Sequence, residues 1–156
     1  MKKRSIVLLL AVILTLTCIL AGCPEETGGV KSVTVYLVNG ENVREFTFET
    51  DAKNLGTLIR ARNTELGISY QESTYGMYIS SVKGWEIDFN TQFVSILVSF
   101  NTVAGDFMIY TDPASEYNVH YVCANGAECD SATVGTDSLP IVDGATYVIY
   151  LTYFLI

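Results

Sequence analysis

Val33-Thr34-Val35-Tyr36-Leu37-Val38 is followed by Asn39-Gly40-Glu41-Asn42 and then by Val43-Arg44-Glu45-Phe46-Thr47-Phe48-Glu49. The first run is β-branched and aromatic, which suits a pleated strand. The second alternates, with Arg44, Phe46 and Phe48 on one side and Val43, Glu45, Thr47 and Glu49 on the other. Side chains alternate across a strand, so Phe46 and Phe48 are expected to point inward. The Asn-Gly-containing turn makes the two runs a hairpin. The period then changes. Leu55, Leu58, Ile59 and Leu66 recur at helical spacing in about a dozen residues from Ala52. Thr50 or Asp51 is the expected cap and Gly67 the stop. Gly56 weakens the helix slightly. Arg60 and Arg62 sit toward its C-terminus, where the dipole favours positive charge.

Beyond the helix the chain reads as strands between turns. Ile68 to Ser73 is transitional, Gly76 to Val82 is a strand and Lys83-Gly84 a turn. Trp85, Ile87 and Phe89 alternate onto one face. Phe93 to Phe100 is apolar. Periodicity cannot separate a buried strand from a short helix there, but β-branched Val94, Ile96 and Val98 favour strand. Ala104-Gly105-Asp106 is a turn before a strand from Phe107 to Thr111, and Tyr117 to Val122 is another. Ser131 to Pro140 is polar and irregular. Asp143-Gly144 turns into the closing strand, Thr146 to Phe154, whose Tyr147-Val148-Ile149-Tyr150-Leu151 has the make-up of a central strand. A hairpin, one helix and further strands predict a strand-rich α+β fold. Its expected form is a β-grasp-like mixed sheet packed on one helix, over residues 31–156.

Upstream, Lys2, Lys3 and Arg4 precede an apolar run from Ile6 to Leu20. That run is short for a spanning helix, which needs about 20 residues. A basic start, an apolar core and small residues describe a secretory signal over residues 1–22. Its ending, Leu20-Ala21-Gly22-Cys23, resembles a bacterial lipoprotein signal. The resemblance implies cleavage before Cys23 and a lipid (diacylglyceryl, palmitate) on its sulfur. The expected location is extracytoplasmic, anchored to the bacterial cell membrane. Residues 23–30, punctuated by Pro24, Gly28 and Gly29, would then be a short lipidated tether.

Cleavage there leaves six basic and seventeen acidic residues, a net charge of −11 against −8 for the whole chain. Such a chain repels phosphates and anionic lipid heads, so nucleic acid is not an expected partner. All ten tyrosines lie beyond the signal. Tyrosine suits half-buried sheets first and binding surfaces second.

With Cys18 in the signal and Cys23 lipidated, Cys123 and Cys129 remain, in a compartment that permits disulfides. A two-residue Asn125-Gly126 turn would set Cys123 opposite Glu128. A five-residue loop, Ala124 to Glu128, would set it opposite Cys129, and a bridge is expected. A free pair or a metal pair are the alternatives. His120 is the one histidine, and the spacing is no zinc signature. It falls on the solvated face of its strand. There is no nucleophile elbow, phosphate loop or zinc-protease helix. Glu86 and Asp88 read as a solvated pair before a catalytic one. Glu128, Asp130, Asp137 and Asp143 match no calcium-loop spacing. Neither an enzyme, a metal nor a cofactor is expected.

Val33 to Val38, the helix around Leu55 and Leu58, Tyr75-Gly76-Met77-Tyr78-Ile79-Ser80-Ser81-Val82-Lys83-Gly84, and Ile141-Val142-Asp143-Gly144 resemble the transcobalamin-like C-terminal domain family. The resemblance loosely covers residues 31 to 153. It implies the β-grasp fold and, in the family's animal transporters, closure over one face of cobalamin. Phe107-Met108-Ile109-Tyr110-Thr111-Asp112 departs from the family's Trp strand and Asn-Gly turn, and the helical partner domain is lacking. Two functions are therefore expected. One is a lipid-anchored module that captures a small ligand, such as a corrinoid or a surface glycan, through Tyr75, Tyr78, Trp85, Phe107 and Tyr110. The other is a structural or protein-interaction module of the cell envelope, docking through a sheet edge.

Overall fold

β1 (Lys31–Asn39) and β2 (Asn42–Thr50) form the expected hairpin, with Asn39 paired to Asn42 across Gly40-Glu41. Gly40 takes a positive φ of 57°, which the tight connection requires. The computed structural model describes residues 29–85, 87–100, 103–104, 107–108, 116 and 118–153, with the side chains of 103–104 and 107–108 left out. The signal, Cys23 and most of the tether therefore lie outside the described residues, as does Tyr110.

The helix α1 (Leu55–Leu66) starts later than the pattern suggested. Its cap is Asn54, not Thr50 or Asp51. Asn54 Oδ1 accepts from both the Thr57 N–H and the Thr57 hydroxyl at 2.8 Å. Thr50 instead accepts from the Ala52 N–H at 3.1 Å, within the approach to the helix. A distant segment decides the start: Leu55 N–H donates to Leu139 O and Gly56 N–H to Thr136 O, each at 2.9 Å. Gly67 ends the helix at φ 69°, as expected. Leu55, Leu58, Ile59 and Leu66 are all buried.

After the helix come β3 (Ile68–Ser73), β4 (Gly76–Val82), β5 (Gln92–Val98), β6 (Val103–Ala104) and β7 (Phe107–Met108). The last three are β8 (His120–Val122), β9 (Glu128–Ser131) and β10 (Thr146–Tyr153). The main sheet has six strands in the order β2-β1-β10-β5-β9-β8, with β1 and β10 parallel and the other pairs antiparallel. This is the α+β, β-grasp-like arrangement: a mixed sheet packed on one helix. The closing strand is central, between β1 and β5. Residues 68–73 are a true strand, paired to β4 in a separate hairpin. Residues 92–98 are strand rather than helix.

Both faces of the sheet are covered. On one, Val33, Val35 and Leu37 meet Leu55, Leu58, Ile59, Tyr147 and Ile149. Phe48 is buried there and Phe46 packs beside it, their rings stacked at 6.2 Å. On the other, Tyr36, Val38, Leu97 and Val148 pack with Cys123 and Cys129. Tyr36, Leu37 and Val38 are consecutive and fully buried. A strand covered on both faces reads as a continuous apolar run, which explains the opening stretch.

The alternation at Trp85, Ile87 and Phe89 does not make a strand. Trp85 pairs with Val82 in an isolated bridge, and Asp88 bends the chain into a turn, its carbonyl accepting from Thr91 and Gln92 N–H. Phe89 is consequently exposed while Trp85 is buried.

Candidate functional site

A cleft separates the β3–β4 hairpin from the main sheet. Met77, Tyr78 and Ile79 of β4 form one wall. Phe93, Val94 and Ile96 of β5 form the opposite wall, with Ser95 beside them. The segment after β9 closes the third side through Ser131, Ala132, Val134, Gly135 and Thr136. The space comprises two adjoining volumes of about 370 and 230 Å³ that share Phe93, Val94, Ile96 and Gly135. Among the described residues, no lining side chain is charged. Ser131 and Ser95 are already bonded, Ser131 to the Val119 backbone and Ser95 to the Thr152 hydroxyl at 2.9 Å. Thr136 is 5 % exposed, and its Oγ1 has no hydrogen-bond partner among the described residues. The Tyr36 hydroxyl is likewise buried without one, next to the Glu45 carboxylate on the other face of the sheet.

Of the aromatics expected to bind ligand, Tyr78 lines this cleft. It is 46 % exposed, with its ring 5.2 Å from that of Phe89. Tyr75 is 99 % exposed at the tip of the β3–β4 turn and is not in the lining. Trp85 is a correction: it is buried in the main core with the Arg44 guanidinium 5.4 Å from its ring, so it offers no contact surface. Phe107 is placed only by its backbone in β7. Phe89, Phe93, Gly135 and Thr136 are not among the site residues expected from the sequence. The one signal for the last two was a Val-Gly-Thr segment inside a polar stretch, which propensity treats as a loop.

An ion-pair network holds the third side in place. Arg60 Nη1 donates to Asp137 Oδ1 at 2.5 Å, and Nε and Nη2 donate to the Glu72 carboxylate at 2.8 and 2.9 Å. Asp137 Oδ2 also accepts from the Met77 N–H at 2.9 Å. Arg60 thus ties α1, β3 and the 133–140 segment together, rather than serving the helix dipole. Its hydrogen bonds hold the Asp137 carboxyl below the usual range against the cost of burial, with help from the Met77 N–H. Arg60 lowers Glu72 in the same way. Both carboxyls have folded-state pKa values below their unfolded ones. Their stabilisation is therefore present above about pH 4 and fades as pH falls through the depressed values. Asp137→Asn should cost about 1 kcal/mol at neutral pH, the pair being one-third exposed, and flatten the acid limb of a melting-temperature profile.

The other acidic side chains among the described residues do not converge. Asp143 accepts from the Ser32 N–H, while Asp130 accepts from Asn118 and from His120 Nδ1 at 3.0 Å. Among the described residues, no group of three or more His, Cys, Asp or Glu side chains is placed to hold a metal. No protein-family model matches the chain, and no curated protein matches it. A solved structure does. The 1.30 Å crystal structure of a "putative metal binding protein" from Ruminococcus gnavus ATCC 29149 is similar with a TM-score of 0.54. The identity is 20%, over 80% of this chain and 99% of that one. At that identity the likeness is one of fold.

Cys123 and Cys129 come together by a different register from the one expected. β8 and β9 pair Tyr121 with Cys129, and Cys123 N–H donates to Ala127 O. The loop is therefore Ala124-Asn125-Gly126, with Gly126 at φ 83°, and the cysteines are diagonal neighbours instead of partners. They are free thiols, both buried, with Sγ atoms 3.8 Å apart. Burial raises both thiol pKa values, Cys129 further. Air oxidation should accordingly be slow, since the thiolate is the reactive form. An enzymatic thiol oxidant should close the pair, with the mass falling by two hydrogens. The short ring formed should add about 2 kcal/mol to stability. Urea midpoints with and without reductant test this; a Cys123→Ala/Cys129→Ala protein should not respond.

Proposed function

We propose that residues 31–156 are a non-enzymatic, extracytoplasmic binding module, held to the membrane by lipid on Cys23, which captures a small neutral ligand in the β4–β5 cleft. The signal grammar of residues 1–23 supports the location. One observation carries the ligand reading: Thr136, which lines the cleft, has a buried hydroxyl with no hydrogen-bond partner among the described residues. A buried hydroxyl without a partner costs about 1–3 kcal/mol, and an incoming ligand group would remove that cost. Pockets of this kind, apolar with a few placed polar groups, are where small molecules bind. The metal binding attributed to the Ruminococcus gnavus protein is not carried over, because the described lining has no His, Cys, Asp or Glu.

Thr136→Val tests the reading on two axes. It keeps the shape and deletes the orphan oxygen, so it should raise stability by about 1 kcal/mol in urea unfolding. The same change should weaken ligand binding about tenfold in calorimetry with residues 24–156. Lower stability with unchanged binding would sink the idea. Cobalamin and cobinamide belong in the ligand set because of the family resemblance.

A second reading is envelope-protein docking, favoured by β2, a nine-residue strand at the outer position of the sheet. Arg44, Glu45 and Glu49 on that strand weigh against it, since edge charges discourage strand addition. A pull-down that loses its partner on Thr47→Pro would bring it forward.

A further inference from the structure

Resting on the cleft as the ligand seat, we infer that its ligand is an uncharged sugar unit of a glycan, laid against Tyr78 with one hydroxyl on Thr136. Charge comes first. Among the described residues the cleft has no charged lining side chain, and the chain is acidic, at −8. An anionic ligand would meet repulsion and no cation. A cationic one would look to Asp137, whose carboxylate is already taken by Arg60 and the Met77 N–H.

Hydrogen bonding comes second. Thr136 Oγ1 can donate and accept, and nothing among the described residues does either with it. A sugar hydroxyl answers both needs once the Thr136 side chain turns toward it, whereas an aliphatic chain leaves the oxygen unpaired.

The third argument is shape. Tyr78 is half-exposed on β4 and lines the cleft. Phe89 backs it, and the Phe89 segment is itself pinned by the Asp88 turn, whose Oδ1 accepts from the Asn90 N–H at 3.0 Å and the Asn90 side-chain amide at 2.8 Å. A tyrosine whose face is apolar and whose tip is polar suits the flat C–H face and equatorial hydroxyls of a pyranose. The two volumes sit at the small end of ligand pockets, which run roughly 300–1,000 Å³. That is room for a few sugar rings and little for a corrin macrocycle with its tail.

Gly135 provides the decisive variant. A Cβ there meets nothing within 4 Å, and its φ is not in the left-handed region. Gly135→Leu should therefore leave the fold intact and push a side chain into the cleft. The experiment titrates residues 24–156 calorimetrically with short neutral gluco-, manno-, galacto- and xylo-oligosaccharides, a uronic acid oligosaccharide and cobinamide. The expected result is saturable binding of at least one neutral series. Gly135→Leu should abolish it, Tyr78→Ala and Thr136→Val should each cost about tenfold, and Tyr78→Phe should restore most of the loss. Cobinamide binding that Gly135→Leu abolishes, with no sugar bound, overturns the sugar assignment and leaves the cleft standing. Sugar binding indifferent to Gly135→Leu overturns both. No neutral sugar held by the folded protein overturns the sugar assignment outright.

Discussion

Gly56→Ala should destabilise the domain by about 3 kcal/mol, although helix propensity alone would have it gain up to about 1. The reason is the Asp137 carboxylate, which lies directly over the Gly56 Cα. A Cβ at that position would overlap Asp137 Oδ1. Asp137 cannot step aside cheaply. Its Oδ1 takes Arg60, its Oδ2 takes the Met77 N–H, and the preceding carbonyl of Thr136 accepts from the Gly56 N–H itself. Chemical denaturation should show the loss, and the double variant Gly56→Ala/Asp137→Ala should be more stable than additivity predicts, because truncating Asp137 vacates the space. A Gly56→Ala protein as stable as the parent would mean the 133–140 segment is not clamped on the helix.

Tyr147→Phe should cost about 2 kcal/mol. The Tyr147 hydroxyl donates to Pro140 O at 2.7 Å and accepts from the Val142 N–H at 2.9 Å. It fixes both backbone groups as the chain turns from the clamped segment toward β10. The ring is fully buried and packs edge-on against Phe100 at 5.7 Å, so the substituted ring has nowhere to relax and both partners lose this bond. Burial pushes this hydroxyl up to about 12. Its folded pKa is raised above the unfolded value near 10, so its contribution is complete below about pH 10 and is lost as pH climbs toward 12. Equilibrium unfolding across that window should show the parent losing stability faster than Tyr147→Phe. Parallel pH profiles would disprove the assignment.

The elements legible in the sequence are those whose own residues decide them. The opening hairpin announces itself through a β-branched run, a glycine turn and alternating phenylalanines. The helix body follows from four apolar positions, and β10 from its unbroken apolar composition. The misreadings fall where a remote partner decides. Asn54 outcompetes Thr50 and Asp51 as a cap because Leu139 and Thr136 carbonyls meet the helix one turn later. Arg60 looked like a helix-end charge because Asp137 is 77 residues away. For the two cysteines, a five-residue loop satisfies the spacing as well as a three-residue loop with Gly126 in the left-handed region does, so spacing alone cannot set their register. The site was half visible. Tyr78 could be picked out as an aromatic on a strand. Thr136 could not, since its importance lies in lacking a partner, which only packing reveals.

The parallel pairing of the first and last strands gives the module a direction. Thr34 stands beside Thr146 and Val38 beside Tyr150, while Thr152 stands beside Phe93. The chain therefore enters the sheet at the Thr146 end, and the Phe93 end of the cleft lies about 20 Å away along β10. An eight-residue tether extends to at most about 28 Å, so the proposed lipid on Cys23 would keep the entry end of the domain near the bilayer. Its base would be the entry end of the sheet and its receptive end would be at the crown. With that anchor, the Phe93 end of the cleft would open at the end of the sheet farther from the lipid.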